Sequence, residues 1–227
     1  MDDWRYTAEV NSSDAKDAVF EQFARVGKAL SSAKRLELLD LLSQGERSVD
    51  SLSSAADLKL TTASAHLQVL KESRLVKTRR KGTKVFYRLA GDDVADLYVR
   101  LQGVAQAHLT DLAVARLSFL GPQDTEHVDR VELWRRVQAG EVTVIDVRPD
   151  EEYAGGHIPG ALSVPLAQLE ARLAELPADQ EIVAYCRGEY CVMSHDAVRL
   201  LRARGRRAAR LSDGMLEWRL ADLPVAN

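Results

Sequence analysis

Residues 182–205 read IVAYCRGEYCVMSHDAVRLLRARG, and this stretch decides the fold of the carboxy-terminal half. Ile182, Val183, Ala184 and Tyr185 form a short apolar run that predicts a buried strand, and 192–204 carries the spacing of a helix. Between them the segment Cys186-Arg187-Gly188-Glu189-Tyr190-Cys191 is a tight loop with a thiol at each end. A cysteine at the end of a strand and in front of a helix faces backbone N–H groups and the positive end of a helix. Both favour an anion, so the site lowers a thiol pKa and equally stabilises a persulfide. A single cysteine in that place also reads as a small buried residue closing a strand. Cys186 and Cys191 are the chain's two cysteines, too few for a disulfide framework and without the partners of a structural zinc site.

Outward from this stretch the elements alternate. An amphipathic segment spans 128–139, a strand 142–145, a helix 166–176, a short strand 208–211 and a last helix 215–220. Strand and helix in turn predict a parallel sheet with helices on both faces, whose sites lie at the carboxyl ends of strands. Cys186 stands at one such end. Six arginines between positions 199 and 210 (Arg199, Arg202, Arg204, Arg206, Arg207 and Arg210) read as a solvated helix face, with an anionic partner or a DNA backbone as the other reading.

VIDVRPDEEYAGGHIPGALSVP (144–165), the stretch 182–205 and LSDGMLEW (211–218) together resemble the rhodanese family over about 100 residues. The resemblance implies that Cys186 accepts a sulfane sulfur from a donor and passes it on through a persulfide. It implies equally that Arg187, Gly188, Glu189, Tyr190 and Cys191 form the cradle. Asp146, Arg148, Glu152, His157 and Gly160 match the family's DVR…E…GHIPGA motif, and their physical role is read as scaffold. The six-residue loop resembles the sulfurtransferase version. Related phosphatases and arsenate reductases have a longer loop ending in arginine, where this chain has Cys191. Glu189 is expected to place a negative charge in the cradle and weaken binding of a dianion such as thiosulfate, with Arg187 offsetting part of it. Cys191 is read in two ways: as a resolving thiol that attacks an oxidised or persulfidated Cys186, or as the unreactive first residue of a helix.

The amino-terminal half has another grammar. Ser31 and Ser32 precede a helix with Leu36, Leu39 and Leu42 at helical spacing, ended by Gly45, and Ser48 caps a second helix through Leu52 and Ala56. After a turn at 57–60, Thr61 or Thr62 opens a third helix. Its Ala63, Leu67 and Leu70 face inward, while Thr62, Ser64, Ala65, Gln68 and Lys71 face out. Two alternating runs then flank Gly82-Thr83, predicting a hairpin whose tip carries Arg79, Arg80, Lys81 and Lys84. Short helices, a tight turn and a small polar outer face are helix-turn-helix geometry. Thr61, Thr62, Ser64, Ala65, Gln68 and Lys71 suit a major groove, and the hairpin cations suit flanking phosphates.

LSSAKRLELLDLL (30–42) with 48–89, including SxHLxxLxxxxLV and RxxGxxxxYxL, resembles the ArsR/SmtB winged-helix repressors over about 80 residues. The resemblance implies a homodimer held by terminal helices, for which the amphipathic stretch 94–117 is suited, and double-stranded DNA with a palindromic operator as partner. Founding members sense metal through cysteines where this chain has Ser48, Asp50 and Ser53. His108 with Asp111 is thin for a second metal site and reads as helix surface, and His66 reads as a packing residue. No metal or cofactor is therefore expected, and any sensing falls to Cys186.

Bulk properties agree. The 227 residues carry a net charge of −3, with 46% hydrophobic and 29% charged positions, enough for two cores and a solvated surface. Residues 1–120 hold 18 Lys and Arg against 16 Asp and Glu, and residues 121–227 hold 13 against 18. Between positions 59 and 88 there are nine basic residues and one acid, a footprint for a polyanion. The start of the chain lacks an apolar leader, and no stretch nears the roughly 18 apolar residues of a membrane span, so a cytoplasmic, non-membrane protein is expected. The expected fold is a mainly α winged helix-turn-helix with a β-wing over 1–120, a linker at 121–124, and an α/β rhodanese-like domain with a parallel sheet over 125–227. The expected function is a DNA-binding regulator, in the repressor sense, that senses or transfers sulfane sulfur or redox equivalents through Cys186, its further partner being a sulfane-sulfur donor or oxidant. The alternative is a thiosulfate or polysulfide sulfurtransferase with an accessory winged helix.

Overall fold

The computed structural model describes residues 4–122 and 125–227, with side chains from residue 13 onward. Gln123 and Asp124 of the expected linker lie outside the described residues. The chain divides into two compact units, the first built from residues up to Leu42 and Arg47–Gly91, the second from Ser43–Glu46 and Asp92–Asn227.

The first unit contains helices α1 (Trp4–Leu30), α2 (Ala33–Ser43), α3 (Val49–Ala55) and α4 (Leu60–Glu72), with strands β1 (Arg47–Ser48), β2 (Val76–Lys81) and β3 (Lys84–Leu89) in the antiparallel order β1-β3-β2. Ser48 caps α3 as its spacing predicts, its side chain accepting the Ser51 N–H at 3.2 Å. This satisfies one of the donors a helix start leaves free. The turn into α4 places Asp57 at φ 49°, a left-handed conformation that Asp tolerates better than most residues. Helix α4 begins at Leu60 with Lys59 as N-cap and no side-chain cap bond, so neither Thr61 nor Thr62 caps it and both stay on the helix surface. Ala63, Leu67 and Leu70 are buried on the face that the 3- and 4-residue spacing selects. Gly82, at φ 61°, closes the β2–β3 hairpin in a conformation glycine adopts without steric cost. The 27-residue α1 and the two-residue β1 had no counterpart in the sequence reading.

The second unit opens with α5 (Asp92–His108) and α6 (Thr110–Leu120). The stretch expected as one amphipathic segment is thus two helices, interrupted at Leu109 (φ −101°, ψ 101°). Strands β4 (His127–Val128), β5 (Val142–Asp146), β6 (Leu162–Ser163), β7 (Glu181–Tyr185) and β8 (Ala208–Leu211) form a wholly parallel sheet in the order β4-β8-β7-β5-β6. Helices α7 (Arg130–Gln138), α8 (Asp150–Ala154), α9 (Leu166–Leu169) and α10 (Val192–Ala203) connect them, and α11 (Met215–Leu220) follows the last strand. The helix expected over 166–176 is only α9 followed by a 3₁₀ turn at Leu173–Glu175.

Alternation along β7 builds two cores. Ile182, Ala184 and Cys186 join Ala197, Val198 and Leu201 of α10, while Val183 and Tyr185 join Leu133 of α7 and Met215 and Trp218 of α11. Each fully buried Val or Leu contributes about 1.5–3 kcal/mol, so both faces hold the sheet firmly beneath the loop that follows β7.

Candidate functional site

Cys186 leaves β7 and is wholly buried. Its Sγ lies 3.4 Å from Ser194 Oγ, 3.5 Å from the Cys191 carbonyl and 3.9 Å from the Gly188 carbonyl. The loop turns tightly enough for the Cys191 N–H to donate to the Gly188 carbonyl at 3.1 Å, and Cys191 is the N-cap of α10. Burial by itself pushes the Cys186 thiol up. Hydrogen bonds from the Cys191 and Ser194 side chains, then from the backbone of Ser194 and Gly188, more than offset this and draw it below the ordinary cysteine value. Cys191 moves the other way, raised by its hydrogen bond to Cys186 and then by burial. The two free thiols therefore form an unequal pair at the start of a helix, with Cys186 the more acidic and Cys191 the less acidic of the two.

The loop is gripped on both flanks. Arg187 donates to Glu152 through Nε (3.0 Å to Oε2) and Nη2 (2.7 Å to Oε1), and the Glu152 side chain is almost fully buried. Glu189 pairs with Arg116 of α6 at 2.8 Å, whose guanidinium also sits 5.7 Å from the centre of the Tyr190 ring. The expectation that Glu189 charges the cradle is corrected by this pair: the carboxylate is taken up by α6, and Arg187 by α8. From the far side, the Met215 and Leu216 N–H groups donate to the carbonyls of Cys186 and Arg187 at 3.0 and 3.1 Å. Gly214 permits this approach, since a Cβ there would meet Gly188 N at 2.2 Å.

The remaining motif residues support the sheet end. Arg148 and Asp146 form a fully buried pair (Nε to Oδ1 2.9 Å), Tyr185 Oη donates to Asp146 Oδ2 at 2.6 Å, and Arg148 Nη2 donates to the Gly156 carbonyl at 2.9 Å. His157 stacks on Tyr153, ring centres 3.7 Å apart. None of these groups contacts the sulfur.

In the first unit Thr61, Thr62, Ser64, Ala65, Gln68 and Lys71 are all exposed on one side of α4, and Arg79, Arg80, Lys81 and Lys84 are exposed on the hairpin. Gln68 donates to Glu72 at 3.0 Å, and Arg79 lies 5.2 Å from the centre of the Phe86 ring. Among the described residues no group of three or more His, Cys, Asp and Glu is placed to hold a metal, and no helix is long and apolar enough to cross a membrane.

A family model described as bacterial regulatory protein, arsR family, matches residues 32–78, and one described as rhodanese-like domain matches residues 129–221. An HTH-type transcriptional regulator of Mycobacterium tuberculosis is 58% identical over 214 residues, 94% of this chain and 94% of that protein. This chain belongs to the ArsR-type transcriptional regulators that carry a rhodanese-like domain. A sulfurtransferase of Allochromatium vinosum is 33% identical over 92 residues, 40% of this chain and 84% of that one. The solution structure of a homodimeric winged helix-turn-helix DNA-binding domain from Mycobacterium bovis is 54% identical, covering 42% of this chain and 89% of that chain with a TM-score of 0.41.

Arg210 is the residue that sequence reasoning misplaced. It lies on the strand expected over 208–211, β8, but is only 6% exposed rather than part of a solvated face. The signal was present: Ala208-Ala209-Arg210-Leu211 is a short run beside a central strand of a parallel sheet, where both faces are covered.

Proposed function

We propose that this ArsR-type regulator binds double-stranded operator DNA as a homodimer and that the sulfur state of Cys186 sets its DNA affinity. The observation that carries the reading is the unequal thiol pair, a buried Cys186 drawn below the ordinary cysteine value and held beside a Cys191 that is pushed up, at a helix start. The Cys186 thiolate attacks the outer sulfur of a hydropolysulfide or organic persulfide, RS–SH. A new S–S bond forms, the RS–S bond breaks, and Cys186–S–SH and RS⁻ result. Cys191, once deprotonated, then attacks Cys186 Sγ, and the outer sulfur departs as hydrosulfide, leaving a Cys186–Cys191 disulfide.

Support for coupling comes from the residues between the two cysteines. Glu189 and Tyr190 hold Arg116 of α6, so a loop that reshapes around an added sulfur acts directly on that helix. Exposed apolar side chains suit self-association in each unit, Phe20 and Phe23 on α1 of the first and Val104 on α5 with Val114, Leu117 and Phe119 on α6 of the second. The exposed surface of α4 suits base edges, and the hairpin cations suit phosphates. Complete burial of Cys186, with its loop pinned on both sides, favours a sensor over a rapidly turning enzyme.

The test is fluorescence anisotropy with DNA from upstream of the chain's own gene, using reduced and polysulfide-treated protein. Treatment is expected to change affinity at least fivefold, a coupling of about 1 kcal/mol. Cys186→Ser is expected to abolish the response and Cys191→Ser to arrest it at the persulfide. Equal affinity in all states overturns the sensor reading.

A further inference from the structure

The second unit holds a cavity of about 650 Å³ walled by α6, by Glu189 and Tyr190 of the cysteine loop, and by Arg210 at the carboxyl end of β8 with Thr125. It has two features that the sulfur chemistry does not use. The first is a set of orphaned donors. Among the described residues, Arg116 Nε, Thr125 Oγ1, Tyr190 Oη and Arg210 Nε are buried with no hydrogen-bond partner, and all four residues line the cavity. Buried polar atoms are rarely left unsatisfied, and each of these four can donate. Unsatisfied donors on four residues that line one cavity point to an anionic ligand.

The second feature is charge. Two carboxylates line the cavity, and both are engaged, Glu189 by Arg116 and Asp213 by Arg130 at 2.6 Å. Arg210 faces no carboxylate within ion-pair distance among the described residues. Its Nη1 donates to the carbonyls of Leu211 and Ser212 at 3.2 and 3.1 Å. Thr125 and Arg210 are both more than nine-tenths buried, so a guanidinium with no direct carboxylate partner stands in the wall of the cavity, where a buried charge is expensive. The field is felt nearby: the buried His195 imidazole is held down to about 4 by burial and then by Arg210, Arg199 and Arg116.

The opposite wall is apolar, formed by Leu109, Leu112, Ala113 and Leu117. A volume of this size falls within the roughly 300–1,000 Å³ of small-molecule sites and is far larger than an inorganic oxyanion needs. The geometry points to a binding site for a small organic monoanion, a carboxylate or sulfonate head seated on Arg210, Thr125 and Tyr190 with its apolar body against α6. The site is separate from the sulfur of Cys186 yet shares Glu189 and Tyr190 with that loop, so occupancy and loop position are linked.

Isothermal titration calorimetry on the full reduced chain tests this with 1-octanesulfonate and octanoate as probes, 1-octanol as the neutral counterpart and thiosulfate as the small anion. Saturable binding of one octanesulfonate per chain is expected, with octanol and thiosulfate each at least tenfold weaker. Arg210→Gln is expected to weaken octanesulfonate at least tenfold. Ala113→Trp, at an exposed helix position where the fold is not at risk, is expected to block it by filling the cavity. Cys186→Ser is expected to leave binding unchanged, which separates this site from the sulfur reading. Absence of binding by both anionic probes overturns the proposal, as does octanol binding as tightly as octanesulfonate. So does undiminished binding in Ala113→Trp together with a folded Arg210→Gln, folding being read from circular dichroism.

Discussion

The hairpin and the sheet unit are both rich in arginine and use it in opposite ways. Arg80 projects from a two-stranded ribbon into solvent, where a cation keeps its hydration and interacts weakly and without direction. Arg148 and Arg210 are enclosed, where each guanidinium demands a partner. Arg148 has one in Asp146, and Arg210 has only carbonyl oxygens. Exposed cations suit a polyanion met along its length, whereas a buried one suits a single anion in a fixed place.

Removing the satisfied buried arginine is the most severe test of that contrast. Arg148→Met leaves Asp146 charged and enclosed, and a loss of about 3–5 kcal/mol in unfolding free energy is expected by urea denaturation. A loss below 1 kcal/mol would erase the distinction between the two regions. The hairpin counterpart, Arg80→Ala with Lys84→Ala, is expected to leave stability within about 0.5 kcal/mol. It should weaken DNA binding for every sequence alike, with the log affinity against log salt slope shallower by about 2. A loss confined to one operator sequence would instead assign these residues to base recognition.

Burial, and after it Arg210, Arg199 and Arg116, hold the folded value of His195 at about 4, below its ordinary 6.5. Between these values the unfolded chain binds a proton that the folded one does not. Stability is therefore full above about 6.5 and lost as pH falls toward 4. His195→Gln is expected to flatten stability over this window in thermal melts at stepped pH, and a profile as steep as the parent's would argue against His195 as the responsible group. The smallest effect is expected for Glu189→Gln, which breaks a partly exposed pair worth up to about 1 kcal/mol. Its sharper readout is a faster reaction of Cys186 with an alkylating reagent, because the loop loses its hold on α6.

Much of this was legible along the chain. Apolar spacing in 63–70, the serine cap before α3, the glycine at the hairpin tip and the strand–cysteine–helix order at 182–205 are local signals, because each reports on backbone conformation within a few residues. Two of the unanticipated elements, α1 and β1, lack such signals. β1 is two residues long and exists through its pairing with β3. The interruption at Leu109 and the collapse of the expected 166–176 helix into α9 and a 3₁₀ turn likewise depend on what each segment packs against.

By itself the sequence determined the two kinds of domain and the strand–cysteine–helix order at 182–205, since periodicity and turn chemistry are written in neighbouring residues. Only the tertiary structure decided that the two thiols are shifted in opposite directions, that Glu189 pairs with Arg116 of α6, and that Arg210 is enclosed rather than solvated. Charge pairing and burial depend on distances between residues far apart in the chain, and those distances exist only once the sheet and its helices have closed around them.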